Sequence, residues 1–588
     1  MFSRRRTFYS ICLALALVLP AQFVLAQTAT GDSFAITGIN VIPMDEERLL
    51  ENQTVIVEHG AIQSISSTAS TTIPANMTII DGGNRYLMPG LADLHVHITR
   101  EDEFVSYLAW GVTTIMHLGG TGLPGTEILN LREQVKRGTI LGPNVYTTNR
   151  IFDGEPRLSG DSFELTDPET ARQEVRNLKD GGFDFIKIYN NIDQPEFEAT
   201  VDEARKVGLP VIGHIPRKFD TLLSLSGGQD AVAHTEELFF SYFGGPRYTD
   251  DRMPANYQPD MSKLAPLIDV MLANNVAAMP DLSFTFTDLV MWDDLDIVWN
   301  DSDFPYLHPA TASMWESGNI NRRSNIENFV IREQWKYELM LELTRQFQKA
   351  GILQVIGTDA AIPGLFPGKA AHRELTELVK AGLSNFDALA IGTRNAGQFA
   401  RRYIDENVRF GQVLPGFRAD LVIVDENPLE DIRNARKVSG ISVNGRYVSK
   451  TLIDERREKL KDRYTYLRGA NSKVDAALET DEPANIIGQL VADNSDDEEF
   501  LATVEARINA AGYSTATAGD LEGGREILRI NTELFPTSAN TWDSLAEVNL
   551  YMGNRDAALN YYRRALEADP AFSNAADQIE KILSDSGN

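Results

Sequence analysis

Short apolar, β-type runs recur through the middle of this chain, separated by longer segments of helical character: GVTTIMHL, NVYTT, FIKIY, PVIGHI, AVAHT, VAAMP and LQVIGTD, between Gly111 and Asp359. Short buried strands alternating with helices predict repeated βα units around a parallel sheet. Residues 89–404 are therefore expected to form a (β/α)8 TIM-type barrel within an α/β protein.

The pattern differs on either side. From Phe34 to Met88, FAITGINVIPM, QTVIVEHGAIQSI and MTIIDGGNRYLMPG alternate β-type runs with turn residues, and a matching fragment, GQVLPGFRADLVIVDENPLEDI with ISVNGRYV, spans Gly411 to Ser449. Pro-Gly and Asn-Gly turns break its strands. The pieces 33–88 and 405–452 are expected to close one composite β-sandwich flanking the barrel. Between Tyr242 and Asn321 the chain is rich in Trp, Tyr, Asp and Pro, and the part beyond VAAMP reads as loops or a lid over the rim.

Beyond Leu452 charged helical sequence takes over, with acidic stretches ETDEPAN and DNSDDEEF, so 453–495 reads as a helical linker. In 496–588, Trp542, Leu545, Ala546, Tyr551, Gly553, Ala557, Tyr561, Ala565, Leu566 and Pro570 stand where a tetratricopeptide (TPR) helix pair places them, and a weaker unit runs from Thr503 to Phe535. Two units are fewer than the three such repeats need to stand alone. The TPR-like helical domain is expected to pack on the barrel, on a second copy in a homo-oligomer, or on a protein partner.

Composition changes this picture at the N-terminus. Arg4, Arg5 and Arg6 precede an apolar run from Ile11 to Leu25, and Val24 and Ala26 supply small residues before a cut, so 1–26 reads as a signal peptide. The run is shorter than the roughly 20 apolar residues of a membrane span and holds Pro20. The mature protein is expected to be exported, periplasmic or secreted, with no integral membrane span; general and twin-arginine export both suit the arginines. Cys12 is the one cysteine, so metal ligands must be nitrogen and oxygen donors. Net charge is −29, which argues against nucleic acid or an anionic membrane as partner.

The candidate chemistry sits at the ends of the apolar runs, where barrel active sites are built. His95 and His97 are two apart in LADLHVHIT, so strand alternation puts both imidazoles on one face with Asp93. Lys187 falls inside the apolar FDFIKIY, aligned with Phe185 and Tyr189, where a bare ammonium is expensive to bury. Either it is paired or snorkelling, or carbon dioxide has carbamylated it into an anionic ligand. His214 in VIGHIP, His234 in VAHTEE and Asp359 in VIGTDA each end a β-type run. Singly, the histidines suit a core and the aspartate a helix cap.

Taken together, MPGLADLHVH, GVTTIMHLGG, FDFIKIY, VIGHIP, VAHTEE, VIGTDA, PGKAAHREL and LPGFRADLVIVDENPLEDI resemble the metal-dependent amidohydrolase superfamily, in the branch of imidazolonepropionase-like and Xaa-Pro dipeptidase-like proteins, from about Phe34 to Ser449. The resemblance implies that His95, His97 and Asp359 bind one divalent ion, His214 and His234 a second, and carbamylated Lys187 bridges the two. Zinc suits these donors, and manganese, cobalt or iron can substitute.

The reaction implied is hydrolysis of an amide or other C–N bond, in a short peptide, N-acyl amino acid or cyclic amide, by a metal-bridging hydroxide, with Asp359 passing the proton on. Tyr189 is either a donor to the oxyanion or a rim aromatic. His117 stands where relatives often carry aspartate, and with Arg150 and His372 it is a candidate substrate or supporting contact. Where dipeptidase-like relatives carry Gly-Gly-His-Gly-Asp this chain has TTNRIFDGEP, a departure that loosens the dipeptidase substrate assignment. Two alternatives stand beside the amidohydrolase: an esterase or lactonase using the same site, and a TPR-type scaffold with the barrel as platform.

Overall fold

The computed structural model describes residues 33–585 except 121, 158–161, 248–253, 255, 294–295, 318–326 and 571. The segment read as a signal, with Cys12, lies outside the described residues. Among the described residues no helix is long and apolar enough to cross a membrane.

The fold is mixed α/β with a helical C-terminal region. Strands β1 (Phe34–Val41), β2 (Leu50–Glu58), β3 (Ala61–Ser67), β4 (Thr78–Asp81) and β5 (Tyr86–Pro89) come from the N-terminal piece. A central series follows: β6 (Leu91–Val96), β7 (Val112–His117), β8 (Asn144–Thr147), β9 (Ile151–Asp153), β10 (Ser162–Glu164), β11 (Ile186–Ile188), β12 (Val211–Gly213), β13 (Ala231–Ala233) and β14 (Ala277–Met279). Strands β15 (Leu421–Val424), β16 (Val438–Val443) and β17 (Arg446–Ser449) close the set.

The two remote pieces meet in one hydrogen-bonded sheet, ordered β17-β16-β15-β5-β1-β2-β3 with β4 beside β1. It curls until residues just before β15 bond β3, through Ile62 N–H to the Phe417 carbonyl at 2.9 Å. Phe34, Ile36, Val55, Leu87 and Leu421 fill the curl. Its layers are thus parts of a single sheet.

The central strands run parallel, β6-β7-β8 and β10-β9-β11-β12-β13-β14. Backbone bonds extend both groups. The Asp184 N–H donates to the Thr147 carbonyl at 2.9 Å, and the run 353–359 bonds β14 on one side (Ala278 N–H to Leu353 carbonyl, 2.9 Å) and β6 on the other (Leu94 N–H to Ile356 carbonyl, 2.8 Å). Met116, Phe185, Ile212, Ala231, Ala277, Met279 and Val355 pack into one inner cluster, while Ile186, Ile188 and Val211 pack outward on the helices. That split is what the period of a strand requires.

The stretch beyond VAAMP read as loops or lid is largely helical where described, at Leu282–Asp293, Asp296–Trp299 and Pro309–Ser317. Trp315 is buried against Phe366, and its Nε1 donates to the Ala361 carbonyl at 3.1 Å, which seats this layer on the loop after residue 359. The segment read as a linker is helical, and its first helix, Lys450–Leu478, is a packed strut instead of a free connector. It buries Tyr464, Leu467, Ala470 and Val474 against the helices that follow, and Arg468 donates to the carbonyls of Phe304 and Leu307 at 2.6 Å. After a helix at Pro483–Asp493 come two consecutive pairs, Glu498–Thr517 with Leu521–Leu534 and Ala539–Tyr551 with Arg555–Ala568, and a last helix at Ser573–Asp585.

Candidate metal centre

The sequence-remote candidates converge at the C-terminal ends of the parallel strands. The ring centroids of His95 and His234 lie 4.4 Å apart, those of His214 and His234 4.8 Å, and those of His95 and His97 5.4 Å. Asp359 reaches into them, with Oδ1 2.8 Å from His97 Nε2 and 3.3 Å from His95 Nε2. The donors of His95, His97 and Asp359 all lie within 4.8 Å of one another, close enough to share a metal ion, and those of His95, His234 and Asp281 are as close to each other.

Local backbone geometry aims these side chains. His234, Asp281 and Asp359 each follow a strand end in the left-handed region, with φ of 63°, 52° and 63°. Such a conformation costs a non-glycine residue about 1–3 kcal/mol. It turns the side chain inward just where the strand stops. Strand β6 departs from strict alternation, its register against β7 shifting between Asp93 and Val96. Leu94 joins the inner cluster, yet His95 and His97 still both reach Asp359. Asp93, placed with the histidines by alternation, instead accepts from Thr358 Oγ1 at 2.6 Å and ties β6 to the run 353–359.

Each imidazole has its Nδ1 held from outside. Asp281 Oδ2 lies 3.1 Å from His95 Nδ1 and 2.7 Å from His234 Nδ1. The Gly119 carbonyl is 2.7 Å from His97 Nδ1. Asn190 Oδ1 and Glu237 Oε1 sit 2.9 and 3.0 Å from His214 Nδ1, and Arg217 grips Glu237 from the other side at 2.9 Å. Nδ1–H donated outward leaves Nε2 as the inward lone pair, the arrangement of metal-binding histidines. Gly357 permits the approach, because a Cβ there would meet Asp281 and lie 2.8 Å from His95 Cβ.

Electrostatics suit the same use. Burial and the Lys187 charge push His95 and His214 well below the usual imidazole range, so both are neutral ligands at pH 7. Burial opposes charge on His234 too, but Asp281 outweighs it and raises His234 to about 9, so His234 must give up that proton before its Nε2 can bind an ion. Burial would raise Asp359, yet His97, His234 and Lys187 hold it below its ordinary value. Lys187 is 1% exposed, its Nζ has no hydrogen-bond partner, and burial lowers it to about 8 against the pull of Asp359, Asp281 and Glu237. A buried amine without a partner is costly. An inward nitrogen and oxygen donor set around that amine fits divalent ions bound by imidazole and carboxylate.

The other candidates separate. Tyr189 lies at the centre, its ring 4.0 Å from that of His214, and burial keeps its phenol protonated. His117 is fully buried beside His97, and its Nδ1 accepts the Ile98 N–H at 3.1 Å, so it braces the chain just after His97. His372 is not at the centre: its Nε2 donates at 2.7 Å to the carbonyl of Trp110, at the end of the helix Glu103–Ala109. Arg150 is exposed, its guanidinium 5.3 Å from the Phe163 ring, away from the histidines.

Four supporting residues escaped the sequence reading. Asp281, Glu237 and Asn190 orient imidazoles. Glu374, fully buried, accepts the N–H groups of Leu282 and Ser283 at 3.1 and 2.6 Å and so fixes the turn that presents Asp281. Asp281 and Asn190 each stand just past a β-type run, the one signal that marked the other ligands.

No protein-family model matches the chain. Ochratoxinase from Aspergillus niger is 23% identical over 444 residues, 70% of this chain and 85% of that protein. Enamidase from Eubacterium barkeri is 34% identical over 86 residues, 13% of this chain and 22% of its own length. Among solved structures, a Xaa-Pro dipeptidase with bound methionine in the active site aligns with a TM-score of 0.52 at 18% identity, covering 71% of this chain and 100% of that one. The bottromycin amidohydrolase aligns with a TM-score of 0.57 at 19% identity, covering 74% and 91%.

Proposed function

On the fold it shares with a solved Xaa-Pro dipeptidase and a solved amidohydrolase, we propose that the chain is an exported, metal-dependent amidohydrolase of the Xaa-Pro dipeptidase-like branch, cleaving an amide or other C–N bond in a small molecule or short peptide. The observation that carries this reading is the convergence of four imidazoles and Asp359 on the partnerless amine of Lys187.

In this proposal His95, His97 and Asp359 would hold one divalent ion and His214 and His234 a second, with Lys187, as its carbamate, supplying a further anionic oxygen ligand. Zinc is the first choice for such donors. Two divalent ions, when bound, acidify water and polarise a carbonyl. The chain's own residues do the rest. Asp359 takes the proton released from water and delivers it to the leaving nitrogen. Tyr189, kept protonated by burial, donates to the carbonyl oxygen. Asp281, Glu237, Asn190 and the Gly119 carbonyl hold the imidazoles so that little reorganises during reaction.

We also propose that β6, β7, β8, β11, β12, β13, β14 and the run 353–359 close an eight-stranded (β/α)8 barrel. The bonds from 353–359 to both β14 and β6 support it. The C-terminal helix pairs are proposed as degenerate TPR units serving self-association or a protein partner.

The test is a full-length preparation made without chelator, assayed for metal per chain, for the mass of one added carbon dioxide, and for cleavage of N-acyl amino acids and Xaa-Pro dipeptides. About two ions per chain and cleavage lost in His95→Ala and Lys187→Ala are expected. Cleavage of esters or lactones with no amide turned over would move the reading to an esterase or lactonase. A chain that takes up no metal would leave the scaffold.

A further inference from the structure

A second cavity lies outside the metal centre, against the helices Leu282–Asp293 and Lys369–Lys380 and the short turn Ile432–Arg436. It shares no lining residue with the histidine cluster. Its volume is about 310 Å³, at the lower end of small-molecule sites, which run from roughly 300 to 1,000 Å³.

One wall is apolar, made by Phe286, Val290, Ile297 and Phe366. Four cations, Lys369, Arg373, Arg433 and Arg436, also line the cavity. Lys369 is committed to Asp301 at 2.6 Å and Arg433 to Asp431 at 2.6 Å. Arg373 and Arg436 pair with no carboxylate among the described residues; the Arg373 guanidinium lies 4.7 Å from the centre of the Phe286 ring. His372 lines the same space, but its Nε2 is committed to the Trp110 carbonyl. The Arg373 and Arg436 guanidiniums are both exposed at the cavity, so together they offer an incoming anion a paired cationic anchor beside an apolar wall. Guanidinium is the side chain best shaped to hold a carboxylate.

We propose that this cavity binds a small organic carboxylate with an apolar body, the acid on Arg373 and Arg436 and the body along Phe286, Val290 and Ile297. The site is independent of the reading of the metal centre.

Calorimetric titration of the full chain with 3-phenylpropionate, and with 3-phenylpropanol as its uncharged match, tests it. The acid is expected to bind with a Kd below about 1 mM, and the alcohol about tenfold or more weaker. Arg373→Met with Arg436→Met should weaken the acid about tenfold and leave the alcohol unchanged. Val290→Trp, which fills the cavity, should remove both. Thermal midpoints show that the variants are folded. Acid binding that ignores both arginines, that disappears when metal is stripped by chelator, or that is absent in the parent at about 10 mM overturns the proposal.

Discussion

Asp281→Asn is the sharpest probe of the centre, because it alters charge while keeping shape. Asn tolerates the left-handed backbone at this position, so the φ of 52° is not disturbed. The carboxylate now faces two imidazole N–H groups through one oxygen, at 3.1 and 2.7 Å. Hydrogen bonds to a charged acceptor contribute about 1.5–3 kcal/mol, against about 0.5–1.5 kcal/mol for neutral pairs. Losing about 1 kcal/mol at each of two bonds weakens the orientation of both histidines by about 2 kcal/mol, or about 30-fold in metal affinity. That lies within the 10- to 100-fold range usual for residues behind metal ligands. Competitive chelator titration of the purified full chain measures it, with thermal unfolding as the check on the fold. A folded variant that binds metal within about threefold of the parent would refute the argument that Asp281 orients His95 and His234.

Gly357→Ala should be more severe than its size suggests: the new methyl meets Asp281 and lies 2.8 Å from His95 Cβ. A loss of about 1–3 kcal/mol in denaturant unfolding, together with weakened metal binding, is expected; wild-type stability would show that the strand-end packing gives way easily. Glu103 is buried and raised from 4.5 to about 7 by that burial, against hydrogen bonds from Thr99 that lower it. A raised carboxyl favours the protonated fold, so its contribution is full below about pH 4.5 and lost as pH climbs through 7. Glu103→Gln should therefore flatten the fall in thermal midpoint between pH 5 and 7, and an equally steep fall in the variant would contradict the assignment. Glu499 joins Arg100, Arg463 and His308 at 2.8, 2.7 and 3.2 Å, linking the C-terminal helices to the chain just past His97. Because these pairs are about a quarter to a third exposed apart from His308, Glu499→Ala should cost only about 1 kcal/mol while making the C-terminal helices more open to limited proteolysis; an unchanged digestion pattern would count against the tether.

The six strand-end candidates were legible because their signal is local. A short apolar run ended by His or Asp puts that side chain at a strand terminus, and seven apolar runs in series, some of them ended that way, imply parallel strands whose ends gather. Lys187 was legible as an anomaly, since an ammonium within FDFIKIY must be buried whatever its partners are. The curled sheet was legible only in its pieces, because Pro-Gly and Asn-Gly turns mark strands but not the order in which they bond. His372 and Arg150 show the limit of proximity in sequence. His372 stands 13 positions beyond Asp359, yet it is buried against the Trp110 carbonyl and has no contact with the histidines of the centre.

Sequence alone therefore determined the kind of chemistry available: nitrogen and oxygen donors, no thiol beyond Cys12 in the segment read as a signal, and donors at strand ends. Tertiary structure decided how those donors are held and what stands behind them. Asp281 and His95 are 186 residues apart, and nothing in MPDLSF separates an orienting carboxylate from a helix cap. They meet because the run 353–359 lies between β14 and β6 with glycine at 357, letting one buried carboxylate reach across to two imidazoles. Burial then turns those contacts into strong electrostatics, since in a low-dielectric interior a charge must find its partner across the fold.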